Sequence, residues 1–450
     1  MTDEDKLNKE KIHRSFKEKG GFELDLHMKR EAMDDPFSEV PPAKEMTVFL
    51  RQHIGPEPDP IVDIGDEVRY GQKIGGYEDP EQEWAVPVHS PVNGIVKEIK
   101  QMEHPVSGNQ ERAIVIETED DEKEPFYDPI DPEEASREEL LERVKEAGVV
   151  GLGGAICPTH VKLSQAKDRV SHLIINAKES DPNVACDVRL MIEKPKKMID
   201  GMKLMAHIIG ADNIVFATRT QEGEIPEFER LLKKENIDIA RVRPNYSIGY
   251  GRLLVTEILN KEVPHDEHSV DVGALVHNVG TAYAISKAIR EGESLVSRGL
   301  TYYSKDIGGK NLWTRIGTPV SQVLDFVDAP ARDFERVALG SIMMGSSISD
   351  PSVPLLKAHA GVTGFMEDEP HPYEDKTWCI RCGYCNTVCP MDLYPQLIMK
   401  AEKKGDKKRL EKLKVDACMD CGLCSFVCPA RINYKPILRR AKSEMWESEN

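Results

Sequence analysis

The stretch Cys379-Ile-Arg-Cys382-Gly-Tyr-Cys385-Asn-Thr-Val-Cys389-Pro390 returns in form as Cys418-Met-Asp-Cys421-Gly-Leu-Cys424-Ser-Phe-Val-Cys428-Pro429. Both stretches have the pattern C-x2-C-x2-C-x3-C-P, which is typical of domains that hold two cubane iron–sulfur clusters. In this pattern the close triplet ligates one cluster and the fourth cysteine ligates the other. The spacing therefore predicts two 4Fe–4S clusters, one on Cys379, Cys382, Cys385 and Cys428, and the other on Cys418, Cys421, Cys424 and Cys389.

Other uses of closely spaced cysteines fit less well. Structural zinc takes four ligands per site and does not explain a triplet with a delayed fourth cysteine followed by proline. Disulfides would require an oxidising compartment, and nothing in the sequence indicates export. Cys157 and Cys186 stand alone, and we expect each to be a small buried apolar side chain.

Length and composition limit the class of protein. The 450 residues suggest about three domains. A formal net charge of −18 argues against a general role in nucleic-acid binding. The sequence has no apolar run long enough to span a bilayer, and its charged N-terminus lacks the apolar segment of a signal peptide. We therefore expect a soluble cytoplasmic protein whose membrane association comes only through partners.

The N-terminal quarter predicts an arm followed by a β domain. Residues 1–21 are charged and predict a flexible arm, while residues 22–116 alternate short apolar stretches with Gly and Pro. Residues 62–68 and 90–96 resemble the two hammerheads of lipoyl domains. Such domains carry a modified lysine, but no lysine occurs between Lys73 and Lys97. We therefore expect a lipoyl-like barrel-sandwich domain that serves as a docking module.

The rest of the chain predicts a multidomain α/β protein. Residues 117–290 alternate helices with strands, including His172–Asn176 and Val270–His277, and predict an α/β flavin-type domain with parallel strands. Residues 291–335 predict a β-grasp unit similar to SLBB domains, and residues 336–369 a connecting segment. Residues 370–450 predict a helical, ferredoxin-like domain for the two clusters.

Two loops in the α/β segment have the composition of binding loops. The glycines of residues 148–155 allow backbone N–H groups to approach an anion, although a plain tight turn has the same composition. The loop is not a Rossmann fingerprint, because Ile156 stands at the third glycine position. Asn176–Pro182 follows a strand and can bind a flavin or a nicotinamide, or form a solvated turn. Asn278 is expected to cap the helix that follows it.

These phrases together resemble a known family. Gly151-Leu-Gly-Gly-Ala-Ile-Cys-Pro-Thr-His-Val-Lys162 resembles the G-x-G-G-A-x-x-P-T-x-x-K loop of the RnfC family, which also occurs in the NADH-oxidising flavoprotein subunit of respiratory complex I. Residues 176–182, 278–284, 315–319 and 343–354 match further RnfC phrases, and the similarity runs from about residue 25 to 440. RnfC is the peripheral subunit of the membrane Rnf complex, which passes electrons between ferredoxin and a second carrier and couples this transfer to ion pumping.

The resemblance implies a flavin site and a set of partners. FMN would lie against Gly151, Gly153, Gly154 and Lys162, with Asn176, Glu179 and Asn278 near its ring or phosphate; no catalytic residue is assigned. The partners would be the membrane subunits and the ferredoxin-like subunit of an Rnf complex, together with soluble ferredoxin or another carrier. The chain would then be an oxidoreductase subunit, peripheral at the cytoplasmic face of the cell membrane.

One stretch departs from the family pattern. RnfC proteins carry Y-P-Q-G-G-E-K, whose glutamate helps to bind NADH, where this chain has Tyr246-Ser-Ile-Gly249-Tyr250-Gly251-Arg252. Gly251 takes the glutamate position, and Tyr250 replaces a small glycine. Losing a hydrogen-bond partner and gaining a bulky ring should weaken binding. The sequence therefore argues against NADH as the soluble redox partner. In the glycine loop, Cys157 also stands where an aromatic residue is common.

Several functions remain compatible with the sequence. The preferred one is the RnfC protein of an Rnf-type complex, which relays single electrons between a protein carrier and the membrane subunits. The alternatives are an RnfC that does oxidise or reduce NADH, a soluble cobalamin-reductase-like protein, and a relay module without flavin. Residues 400–414 carry eight basic and three acidic side chains, a net charge of +5, which would steer an acidic ferredoxin or simply form a solvated helix.

Overall fold

A computed structural model describes residues 22–24, 26–77, 84–219, 225–264, 267–329, 334–367 and 377–446. The arm predicted for residues 1–21 lies outside these ranges. Within them, no helix is both long and apolar enough to cross a membrane.

The N-terminal part begins with a helix and continues as a two-sheet β domain. Helix α1 (His27–Met33) and strand β1 (Ser38–Glu39) precede two antiparallel sheets. One sheet has the order β2-β8-β7-β4 and the other the order β3-β5-β6. The strands are β2 (Glu45–Phe49), β3 (Asp59–Pro60), β4 (Glu67–Val68), β5 (Lys73–Gly76), β6 (Val88–His89), β7 (Asn93–Glu103) and β8 (Gln110–Asp120).

The two phrases that resemble hammerheads pair with each other in this domain. Glu67 and Val68 lie opposite Ile95 and Gly94, so that β4 joins the edge of the first sheet. Gly94 must be a glycine, because a Cβ atom there would lie 2.1 Å from the carbonyl oxygen of Glu117. Apolar side chains from both sheets, Ile74 and Ile114 among them, fill the space between the sheets.

A parallel sheet forms the centre of the second domain, as the sequence predicts. Its four strands are parallel and have the order β11-β10-β9-β12. The elements are α2 (Arg137–Glu146), α3 (Thr159–Ala166), β9 (His172–Asn176), α4 (Cys186–Glu193), α5 (Pro195–Ile209), β10 (Asn213–Arg219), α6 (Pro226–Lys234), β11 (Asp238–Val242), α7 (Gly251–Leu259), β12 (Ala274–Asn278) and α8 (Val279–Arg290).

The strand order creates a crevice. After β9 the chain builds outward through β10 and β11, and then returns to place β12 on the other side of β9. The carboxyl ends of β9 and β12 therefore lie at a topological switch point, where open parallel sheets bind their ligands.

The prediction of a strand over Val270–His277 was wrong at its start. Residues Ser269–Val272 form a 3-10 turn, and β12 begins at Ala274. The Asp271 side chain accepts the backbone N–H of His268, and Gly273 adopts a φ of +85°, so the apolar run is broken before the strand. Asn278 caps α8 as expected, because its side chain accepts a hydrogen bond from the Gly280 N–H at 2.8 Å.

A third sheet combines segments from both ends of the chain. Its order is β1-β14-β13-β17-β15-β16, formed by β13 (Ser297–Ser304), β14 (Gly308–Arg315), β15 (Arg336–Leu339), β16 (Ser346–Ile348) and β17 (Gly361–Phe365), with α9 (Val320–Phe326) after β14. The segment 336–369, expected to be only a connection, therefore supplies three strands. Sequence alternation missed them because they are short and depend on non-local pairing with β13.

The C-terminal domain is helical and repeats itself. It contains α10 (Tyr384–Thr387), α11 (Pro395–Glu402), α12 (Lys407–Lys412), α13 (Leu423–Phe426) and α14 (Tyr434–Trp446). The short helices α10 and α13 each follow a glycine of positive φ, Gly383 or Gly422. The residue two positions before that glycine, Arg381 or Asp420, also has positive φ, so both cysteine runs share one backbone conformation.

Lys357 is a buried tie between domains. Its side chain is among the largest that are fully buried, and its ammonium donates to the carbonyl oxygens of Gly148 at 2.7 Å and Pro87 at 3.4 Å. Burial lowers the pKa of Lys357 to about 7. One side chain from the third sheet's segment thus contacts both the β domain and the start of the glycine loop.

This burial predicts a pH dependence of stability. In the unfolded chain a lysine keeps its proton up to a pKa of about 10.4, whereas the folded chain releases it above about 7. The unfolded state therefore binds more protons between these values, and the free energy of unfolding contributed by Lys357 rises with pH. Thermal denaturation between pH 7 and 9.5 should show a steeper rise for the wild type than for Lys357→Met. Replacing exposed Lys100 by Met should leave the slope unchanged; equal slopes in all three proteins would contradict the assignment.

Candidate cofactor sites

The eight cysteines of the two runs line two separate cavities. Each cavity takes three cysteines from one run and the last cysteine of the other run. The structure thus brings together the two sets that the spacing predicts. The cavity lined by Cys379, Cys382, Cys385 and Cys428 also contains Gln396 and Tyr434, and that lined by Cys389, Cys418, Cys421 and Cys424 also contains Lys435.

The surroundings of the sulfurs suit a cluster of iron cations. Burial raises the pKa of Cys385 to about 11 and that of Cys418 to about 12, so these thiols require positive charge to ionise. The fourth sulfur of each run accepts a backbone N–H from the residue four positions further on. The distances are 3.3 Å for Leu393 to Cys389 and 3.4 Å for Ile432 to Cys428. Such N–H groups tune the reduction potential of a cluster.

The two isolated cysteines differ from each other. Cys186 is buried, as expected, and lies at the start of α4. Cys157 is only partly buried, because it lies in the glycine loop, where its carbonyl oxygen accepts the Gly151 N–H at 2.9 Å. This hydrogen bond closes the loop from within.

Three of the seven predicted flavin residues meet at the switch point. Asn176 ends β9 and Asn278 ends β12, and the two residues are opposite partners in the parallel pair. Gly153 lies against Asn278, where an added Cβ atom would be 3.2 Å from the Asn278 Cβ. Gly154 has a φ of +96° and open space on its side-chain side. The glycine loop therefore passes across the ends of the strands and leaves room beside them.

Glu179 lies beyond β9 in a buried charged network. It forms an ion pair with Lys29 at 2.8 Å and accepts the Asp187 N–H at 3.1 Å. Burial raises the pKa of Glu179 to about 7, even though Lys29 favours its ionised form. The Asp187 carboxylate accepts a hydrogen bond from the Asn278 amide at 2.6 Å, and burial raises the pKa of Asp187.

Sequence reasoning missed both Asp187 and Lys29. Asp187 is in the first turn of α4, a helix that the sequence analysis did not predict. An acidic residue just beyond a polar strand-end loop was the available signal. Lys29 lies 150 positions from Glu179, and no local pattern indicates that contact.

Lys162 does not extend into the open space beside the glycines. Its ammonium donates to the Val276 carbonyl oxygen of β12 at 2.6 Å, and burial lowers its pKa. In this structure the side chain supports the strand next to the crevice. Its expected contact with a phosphate would require it to leave that carbonyl.

The crevice residues nevertheless fit an anionic flavin. His277, the neighbour of Asn278, is buried, and neither of its ring nitrogens has a hydrogen-bond partner among the described residues. A buried imidazole without partners indicates a missing polar group. The twelve-residue helix α8 also begins at this edge, and helix N-termini favour anions. Polar groups without partners, open space at Gly154 and a helix N-terminus therefore occur together.

The stretch Tyr246–Gly251 connects this crevice to the nearer cysteine cavity. On the crevice side, the Asn176 amide donates to the Gly249 carbonyl oxygen at 2.8 Å, and the Tyr246 hydroxyl donates to Asp181 at 3.4 Å. On the other side, Tyr246 and Tyr250 belong to one apolar cluster with Cys421 and Leu423. We call the cavity of Cys389, Cys418, Cys421 and Cys424 the inner cysteine site, and that of Cys379, Cys382, Cys385 and Cys428 the outer cysteine site.

Comparison with protein-family models agrees with the three parts of the chain. Residues 16–121 match the RnfC barrel sandwich hybrid domain, residues 144–287 the Nuo51 FMN-binding domain, and residues 371–432 a 4Fe-4S dicluster domain. The iron–sulfur and FMN cofactors expected from the sequence are confirmed by these matches.

Two individual proteins illustrate the similarity. The RnfC component of the ion-translocating oxidoreductase complex of Serratia proteamaculans (strain 568) is 33% identical over 375 residues, which cover 82% of this chain and 53% of that protein. The chain thus spans about half the length of this curated relative. An NAD+-reducing [NiFe]-hydrogenase, solved in its H2-reduced state, superposes with a TM-score of 0.51 at 18% identity, covering 70% of this chain and 64% of its own. This second similarity shows the fold alone.

The crossed cysteine sets make a direct prediction. Cys389→Ser should perturb the same cluster as Cys418→Ser, although Cys389 lies in the other run, because both side chains line the inner cysteine site. Iron analysis and low-temperature spectra of the reduced cluster bands measure this. Cys157→Ser is the matched control and should keep the full iron content. If Cys389→Ser instead reproduces the spectrum of Cys379→Ser, the crossed assignment is wrong.

Proposed function

We propose, from the confirmed resemblance of this chain to the RnfC family, that it is the RnfC component of an Rnf-type ion-translocating electron transport complex. In this role it relays electrons between a soluble protein carrier, such as a ferredoxin, and the membrane subunits. We also propose that it lies peripherally on the cytoplasmic face of the cell membrane and contacts the other Rnf subunits. The observation that carries the proposal is the contact between the flavin crevice and the inner cysteine site through Tyr246–Gly251.

The chain's residues divide the task between holding cofactors and separating them from water. FMN, when bound, would exchange electrons in pairs or singly, whereas the 4Fe–4S clusters carry single electrons. Gly153, Gly154, Asn176 and Asn278 would hold the flavin at the switch point. Glu179 would supply a carboxyl group whose pKa, raised to about 7, allows it to take up or release a proton near neutral pH. Gly151 and Lys162 have internal partners in this structure and would support the loop and strand.

The cysteine sites would form an ordered pair. The inner site packs against Tyr246 and Tyr250 and is thus adjacent to the crevice. The outer site is nearer to solvent, because Cys382 is exposed and the neighbouring side chains Trp378 and Ile380 are 91% and 65% exposed. Large apolar side chains with such exposure are characteristic of surfaces that contact another protein. Electrons would therefore pass between the crevice and a partner through the inner site and then the outer site.

The basic stretch fits a protein carrier. Residues 400–414 cover the end of α11 and all of α12, and most of their lysines are exposed. The rest of the chain is strongly acidic, since the whole chain has a net charge of −18. A positive region beside iron–sulfur sites would favour the approach of an acidic carrier.

Tyr250 provides the test of this relay. Its hydroxyl donates to the Met344 sulfur at 3.4 Å, and its ring lies in the apolar cluster with Cys421. Tyr250→Ala should leave FMN and iron content unchanged but slow the bleaching of cluster absorbance after anaerobic reduction of the flavin, because the packed contact between the two sites is removed. The rate is measured by stopped-flow absorbance.

Tyr394→Ala is the matched control, because Tyr394 is an exposed tyrosine of the same C-terminal domain. It should bleach at the wild-type rate. A wild-type rate in Tyr250→Ala with full cofactor content would contradict the route through this contact. Absence of flavin from the purified wild type would contradict the enzyme as proposed and leave only a cluster relay.

A further inference from the structure

One N-terminal segment crosses the edge of the sheet at which ligands bind. We call residues Phe22–Lys29, of which the structure describes all except Asp25, the strap. Glu23 pairs with Arg219 at the end of β10 at 3.1 Å, and the Phe22 carbonyl oxygen accepts the Tyr246 N–H, just beyond β11, at 2.8 Å. Lys29 pairs with Glu179, just beyond β9. The strap therefore contacts the carboxyl side of three of the four parallel strands.

Apolar anchors hold the strap in place. Phe22, Leu24 and Leu26 are only 8%, 5% and 5% exposed. Phe22 and Leu24 pack in the same apolar cluster as Tyr246 and Leu423, and the Phe22 ring meets Phe426 edge-on with centroids 5.4 Å apart. Fully burying one such side chain contributes about 1.5–3 kcal/mol. The strap is thus part of the packed interior between the α/β domain and the cluster domain.

The ion pair at the far end fixes the strap over the crevice. The side chains of Lys29 and Glu179 are 5% and 7% exposed, and the Glu179 carboxylate also accepts the Asp187 N–H. Removing one partner of a buried ion pair typically costs about 3–5 kcal/mol, because the other charge is left unpaired. Glu179 is therefore engaged by the chain itself at the position where a ligand's hydroxyl or amide group would otherwise contact it.

We propose that the strap is the specificity-determining element of the flavin site and that it excludes nicotinamide dinucleotides. An extended dinucleotide in this crevice would need the carboxyl ends of several neighbouring strands, and the strap already occupies the ends of β9, β10 and β11. A nucleotide would bind only after displacing it, and its apparent affinity is lowered by the fraction of molecules in which the strap is closed. This inference rests on the proposed function, since it explains why the electrons come from a protein carrier.

Displacing the strap should open the site. The double variant Leu24→Asn/Leu26→Asn weakens the apolar anchors without adding charge near the phosphates of the probe, NAD+. With FMN and both clusters loaded, we expect this variant to bind NAD+ at least about tenfold more tightly than the wild type in calorimetric titration. Trypsin should cut after Lys29 or Arg30 rapidly in the variant and slowly in the wild type.

The matched control replaces two exposed residues of the β domain, Ile61→Asn/Ile64→Asn, and should behave as the wild type does. If the double strap variant loses its cofactors, Lys29→Met gives the same readouts with a smaller change. Tight NAD+ binding by the wild type would overturn the proposal, and so would a strap variant that keeps its cofactors, is cut by trypsin and binds NAD+ no better. Failure of electron transfer from flavin to clusters would count against the proposed function alone, because NAD+ binding is measured without turnover.

Discussion

The account depends on one apolar contact, formed by Tyr246 and Tyr250 with Leu423 and Cys421. This contact joins an α/β domain to a helical domain that could otherwise move independently. It fixes the inner cysteine site beside the carboxyl edge of the parallel sheet, and it also seats Phe22 and Leu24 of the strap. Packed apolar interfaces of this kind resist small displacements. The separation between a flavin and the first cluster is therefore set by side-chain packing.

The same stretch explains how the site departs from the RnfC pattern. A glutamate that would contact NADH is replaced by Gly251, which begins α7, and the tyrosine beside it turns toward the cluster domain. Residues that would contact a nucleotide in the family thus contribute to an internal interface here. The buried pair of Lys29 and Glu179 agrees with this interpretation, because it occupies a carboxylate at the mouth of the crevice.

Local chemistry made a large part of this structure predictable. The cysteine spacing identified both ligand sets, because a triplet within seven residues can only surround one small volume. The strand His172–Asn176 was predicted to the residue, since a buried parallel strand is a continuous apolar run bounded by polar residues. The cap at Asn278 followed from its side-chain chemistry.

The remaining features depend on contacts between distant residues. The Lys29–Glu179 pair joins residues 150 positions apart, and β15–β17 become strands only by pairing with β13. Lys162 was expected to meet a phosphate but donates to the Val276 carbonyl, a choice set by the position of β12 relative to α3. The folded environment determines such partners, and one sequence does not reveal it.

The order of the two cysteine sites is the central claim, and flavin-to-cluster electron transfer in single-cluster variants tests it most directly. Cys421→Ser removes a ligand of the inner site and Cys379→Ser a ligand of the outer site, and iron analysis verifies which cluster remains. After photoreduction of the flavin, the account predicts that Cys379→Ser still bleaches its remaining cluster at the wild-type rate, whereas Cys421→Ser does not. Fast bleaching in Cys421→Ser together with its loss in Cys379→Ser would contradict the account.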